Sequence, residues 1–71
     1  MTHALRKRSF TIAGHRTSIA LEAEFWAVLE REAQKAGLSL AGFIAAIDAA
    51  RAERPLASAL RLRALTAAQN S

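Results

Sequence analysis

No cysteine occurs among the 71 residues, so neither a disulfide nor a thiolate metal site can brace this chain. Tyrosine is also missing, and the only imidazoles are His3 and His15. His3 falls in an unpatterned tail and His15 in an expected turn, where neither has the packed surroundings that a catalytic base needs. Glu30 and Glu32 stand two apart on a helical stretch and point in different directions, so they do not form a carboxylate pair. No spacing of His, Asp or Glu suggests a metal site. The chain is therefore read as a non-enzyme without cofactor or metal.

The longest apolar run, Leu40 to Ile47, has eight residues, far below the roughly 20 that span a bilayer. Arg6-Lys7-Arg8 is followed by alternating polar and apolar residues rather than by the continuous apolar segment of a signal peptide. These features predict a soluble cytoplasmic protein that does not enter a membrane. Acid is missing from residues 1–21, which carry Arg6, Lys7, Arg8 and Arg16. Residues 22–38 have a net charge of −2 and residues 39–71 a net charge of +2, within an overall +4. A wholly basic first segment fits a polyanionic partner.

More than half of the residues are apolar, which argues against global disorder. A chain this short buries only about 60% of its unfolded surface, and with no disulfide or metal the common remaining aid is oligomerisation. Residues 1–7 show little pattern and are expected to form a flexible basic arm. Residues 8–71 then make a single domain with its core in 16–52. Arg8 to Ile12 alternates, Ala13-Gly14-His15 reads as a turn, and Arg16 to Leu21 alternates again. In the second run Thr17, Ile19 and Leu21 share one face, and Arg16, Ser18 and Ala20 share the other.

A helix is predicted over about 22–36, with Glu22 and Glu24 in its first turn and Phe25, Leu29 and Ala33 on its apolar stripe. Gly37 is the expected left-handed stop, and Ser39 the N-cap of a second helix reaching about Ala52. Pro55 suits the start of a third helix over 55–69. Arg16–Leu21 reads as a strand whose backbone groups need a partner, which a second copy of the chain is expected to supply. If residues 8–12 pair alongside it, the two runs form a hairpin.

The ordered set Ser18-Ile19-Ala20-Leu21, then Phe25, Leu29 and Ala33, then Gly37-Leu38-Ser39, then Phe43, Ile44 and Ile47 resembles the ribbon-helix-helix family of Arc/MetJ-type DNA-binding dimers. With Lys7-Arg8-Ser9 and Gly14 to Ser18, the chain is similar to small bacterial proteins that carry such a domain. The resemblance covers residues 16–52. It implies a mainly α fold with a short β ribbon, an intertwined homodimer, here with an extra N-terminal strand and a C-terminal helix. Ile19, Leu21, Phe25, Leu29, Phe43, Ile44 and Ile47 would form the dimer core.

In that family the ribbon enters the major groove of double-stranded DNA. The resemblance therefore makes Arg16, Ser18 and Ala20 the candidates for base contact. Arg16 can bond guanine, Ser18 can donate or accept, and Ala20 can only touch a thymine methyl. Phosphate candidates are Arg6, Lys7, Arg8 and the start of the second helix at Ser39, Leu40 and Ala41. The implied function is a sequence-specific transcriptional regulator acting as a dimer, or as a tetramer made of two dimers. The alternative is a dimeric protein-interaction module, including an antitoxin-like one, that binds no DNA.

A dimer whose subunits each contributed two strands would present a sheet about 20 Å wide at roughly 4.8 Å per strand. The major groove is only about 12 Å wide. Either residues 8–12 peel away, or the ribbon is displaced onto Ser9 and Thr11, or DNA binding is lost.

Overall fold

The computed structural model describes residues 4–70, so the expectations for His3 and the first three residues lie outside it. Two strands, β1 (Leu5–Ile12) and β2 (His15–Glu22), are followed by three helices, α1 (Ala23–Lys35), α2 (Leu40–Ala50) and α3 (Leu56–Gln69). The extra strand and the C-terminal helix expected from the sequence are both present.

β1 and β2 pair antiparallel, with Ser9 opposite Ser18, Phe10 opposite Thr17 and Ile12 opposite His15. Residues near Ser18 thus find strand partners in their own chain, which corrects the expectation that β2 needs a second copy to pair. The cause is local. Ala13 and Gly14 have φ of +52° and +82°, the two positive angles that a type I′ turn requires. A two-residue turn closes the hairpin over so short a loop that little chain entropy is lost. His15 belongs to β2 rather than to the turn, and residues 5–7 belong to β1 rather than to a flexible arm.

Ala13 is held in a left-handed conformation that costs an L-residue about 1–2 kcal/mol. Asparagine tolerates it better and is favoured before glycine in such turns. Ala13→Asn is expected to raise stability by about 0.5–1 kcal/mol, read as a higher urea midpoint at unchanged slope. A lower midpoint would contradict this turn geometry.

β2 runs into α1 without a loop, and Glu22 occupies the N-cap position. The end of α1 follows the expectation for Gly37, whose φ is +72°. Leu38 N–H reaches Ala33 O at 2.9 Å and Gly37 N–H reaches Gln34 O at 3.0 Å, the paired bonds of a Schellman stop. Pro55 takes the N-cap position of α3.

The sheet supplies Ile12, Ile19 and Leu21 to the core, α1 supplies Trp26, Leu29 and Ala33, and α2 supplies Phe43 and Ile44. α3 adds Leu60 and Ala64 and packs on α1, α2 and β2. Of the seven residues expected in a two-chain core, Ile19, Leu21, Leu29, Phe43 and Ile44 are buried within one chain; Phe25 and Ile47 are half-buried. Among the described residues, no helix is long and apolar enough to cross a membrane.

Candidate nucleic-acid interface

Directly opposed residues of an antiparallel pair share a face. The register therefore sorts the hairpin into two sides. Phe10, Ile12, Thr17, Ile19 and Leu21 face the helices, together with Arg6 and Arg8. The other side carries Leu5, Lys7, Ser9 and Thr11 from β1 and Arg16, Ser18, Ala20 and Glu22 from β2.

That open side is polar and basic. Lys7, Ser9, Thr11, Arg16 and Ser18 are all exposed, while Ala20 is half-buried. At the ribbon's centre the Ser9 and Ser18 hydroxyl oxygens lie 3.0 Å apart, a hydrogen bond across the strands. Arg16 stands opposite Thr11 near the turn, and Lys7 opposite Ala20 toward the other end. The one acid on this side, Glu22, is engaged by Arg61 Nε at 3.1 Å. The centre and turn end of the ribbon thus present cations and hydroxyls without a carboxylate.

Strand alternation separates the three basic residues that the sequence places together. Lys7 joins the open side, whereas Arg8 is committed to the other. Its guanidinium lies 5.2 Å from the Trp26 ring centroid and 5.8 Å from that of Phe10, and it pairs with Glu30 at 3.7 Å. The Arg6 carbonyl accepts the Trp26 indole N–H at 2.8 Å. Trp26, only 4% exposed, is a core residue that pins β1 to α1, so it offers no platform for base stacking.

At the start of α2, the Ser39 hydroxyl accepts the Gly42 N–H at 3.0 Å. This is a helix cap, and the hydroxyl proton remains free to be donated. Leu40 packs against the core, and Ala41 brings no side-chain donor. Ser39→Ala is expected to cost about 1 kcal/mol of stability through the lost cap. Duplex affinity measured on the folded variant separates the two roles: an unchanged value leaves Ser39 a cap alone.

Ser9 and Thr11 are full members of the face, a placement that sequence reasoning reached only as one of three alternatives. The signal that fixes it is the turn length. Reading Ala13-Gly14 as a two-residue loop puts Ser9 opposite Ser18 at once.

A sequence model of the ribbon-helix-helix domain matches residues 5–68. The chain belongs to the ribbon-helix-helix family. The match takes in β1 and nearly all of α3, so both lie within the family domain rather than flanking a core at 16–52. Comparison with curated proteins and with solved structures finds no match. Within one ribbon-helix-helix chain, β1 and β2 make a two-stranded antiparallel sheet.

Proposed function

We propose that the protein is a DNA-binding regulator that acts as a dimer and reads double-stranded DNA with the open side of its hairpin. The observation that carries this reading is the two-stranded ribbon whose free face bears Lys7, Arg16, Ser9, Thr11 and Ser18. Eight residues per strand make a ribbon about 26 Å long with strands roughly 4.8 Å apart. A ribbon of that width enters a major groove about 12 Å across. The mismatch foreseen for a four-stranded sheet does not arise while each hairpin stays unpaired at its edges.

Arg16 is the residue best suited to a guanine, Ser18 and Thr11 can bond either a base or a phosphate, and Lys7 serves as a phosphate contact. Ala20 contributes shape alone. Arg16→Ala should weaken binding to a preferred duplex by about 1–3 kcal/mol, relaxing discrimination at one position. Fluorescence anisotropy on labelled duplexes, with a thermal melt as control, tests this. Absence of binding to any duplex at low salt would remove the reading.

Ala20 and Ala41, which lack hydrogen-bonding groups, favour the second reading, a protein-interaction module. Its antitoxin-like form expects a C-terminal segment that folds on its partner. α3 instead places Leu60 and Ala64 in the core of its own chain.

A further inference from the structure

We infer that Arg61 of α3 is a positioning residue for the DNA-reading face. It neutralises and restrains the Glu22 carboxylate, which would otherwise stand free on the side of the hairpin that meets phosphate. This role presupposes the DNA reading above and brings α3 into it.

Glu22 is the last residue of β2 and occupies the N-cap position of α1. Strand alternation puts it on the open side, opposite Leu5 and two residues beyond Ala20. It is the one carboxylate on a face whose cations are Lys7 and Arg16. A free carboxylate there would oppose a polyanion, because like charges brought together across an interface weaken association. The Glu22 side chain makes no cap hydrogen bond to α1. Its Oε1 instead accepts the Arg61 Nε–H at 3.1 Å, from a residue 39 positions away in sequence.

Arg61 is well anchored for this. Its guanidinium carbon lies 5.9 Å from the Phe25 ring centroid. The neighbouring Leu60 is fully buried, so the stretch of helix that carries Arg61 is fixed in the core. The two side chains of the pair are 34% and 30% exposed, and ion pairs open to solvent contribute little to folding. Its weight therefore lies in where charge is placed. With Arg61 present, the face offers two cations beside a balanced pair; without it, the same two cations stand beside a bare carboxylate. Arg63 lies two residues further along α3 and pairs with Glu32 of α1 at 3.5 Å, so it provides a control of equal charge on the same helix.

Fluorescence anisotropy of the full chain with one labelled duplex, at about 0.1 M salt, tests the role. Arg61→Gln keeps most of the stem over Phe25 and removes the charge. It is expected to weaken binding about 5–10-fold, near the worth of one phosphate contact at that salt. Arg63→Gln makes the same change in net charge and should weaken binding less than about 2-fold, because its site is screened from the duplex. Adding Glu22→Gln to Arg61→Gln removes the freed carboxylate and should bring affinity back to within about 2-fold of the unsubstituted chain. The exchange of Glu22→Arg with Arg61→Glu keeps the pair and should bind at least as tightly, and it decides if Arg61→Gln fails to fold.

A double variant as weak as Arg61→Gln alone would mean that Arg61 meets the duplex itself or acts only by holding α3, and would overturn the role proposed here. So would equal losses at Arg61 and Arg63, no loss at Arg61, or a folded charge exchange that no longer binds. Each of these leaves the DNA reading standing. An unsubstituted chain that binds no duplex removes that reading, and the role of Arg61 with it.

Discussion

Leu60→Ala is expected to lower the folding stability by about 2–5 kcal/mol, near half of the total at the middle of both ranges. Leu60 is fully buried and lies in one core cluster with Leu21, Leu29 and Ile44. Truncating a buried leucine costs about 2–5 kcal/mol, through lost transfer energy and the cavity left behind. At about 0.05–0.15 kcal/mol per residue, a chain of this length has roughly 4–10 kcal/mol in total. Urea denaturation followed by circular dichroism reads the loss directly. Leu65→Ala, at an exposed position of the same helix, should change stability by no more than about 0.5 kcal/mol. A similarly small effect at Leu60 would mean that α3 is an appendage rather than part of the domain.

The second large effect concerns charge. Lys7→Glu combined with Arg16→Glu should abolish measurable duplex binding at physiological salt while leaving the unfolding midpoint nearly unchanged. Both residues are exposed on the open side of the hairpin, where substitutions away from packing cost within about 0.5 kcal/mol. Each phosphate neutralised contributes about 0.9 to the slope of log affinity against log salt, so losing cations and adding carboxylates weakens binding steeply. Arg31→Glu with Lys35→Glu makes the same change in net charge on α1 and serves as the control. It should reduce affinity only modestly. Equal losses from the two pairs would show that overall basicity, not this face, attracts the duplex.

Much of the fold was legible because single residues with special backbone roles mark its boundaries. Gly37 ends α1 because it tolerates a positive φ, Ser39 caps α2, and Pro55 starts α3. Alternation in Arg16–Leu21 also separated the buried from the open face of β2. The register was harder to read, because Ala13 gives no sign that it will adopt a left-handed angle. The sequence reads as a three-residue turn, Ala13-Gly14-His15, whereas the loop that forms has two residues.

Leu5-Arg6-Lys7-Arg8 has no hydrophobic alternation, so β1 looked shorter than it is. Its first half is held by contacts distant in sequence, the Trp26 indole on the Arg6 carbonyl and the Arg8 guanidinium over that ring. Nor could periodicity alone tell which chain supplies the strand beside β2, since a strand's pattern specifies its faces and not its neighbour. The open face was half legible. Arg16, Ser18 and Ala20 were placed correctly on it, but the split of Lys7 from Arg6 and Arg8 needed the register.

A titration of the isotopically labelled protein with a short DNA duplex, followed amide by amide by NMR, reads out which face of the protein meets the duplex. Salt-sensitive shifts are expected to concentrate at Lys7–Thr11 and Arg16–Ala20, with α3 little changed. Shifts confined to the helices, or none along the hairpin at low salt, would contradict recognition by the hairpin.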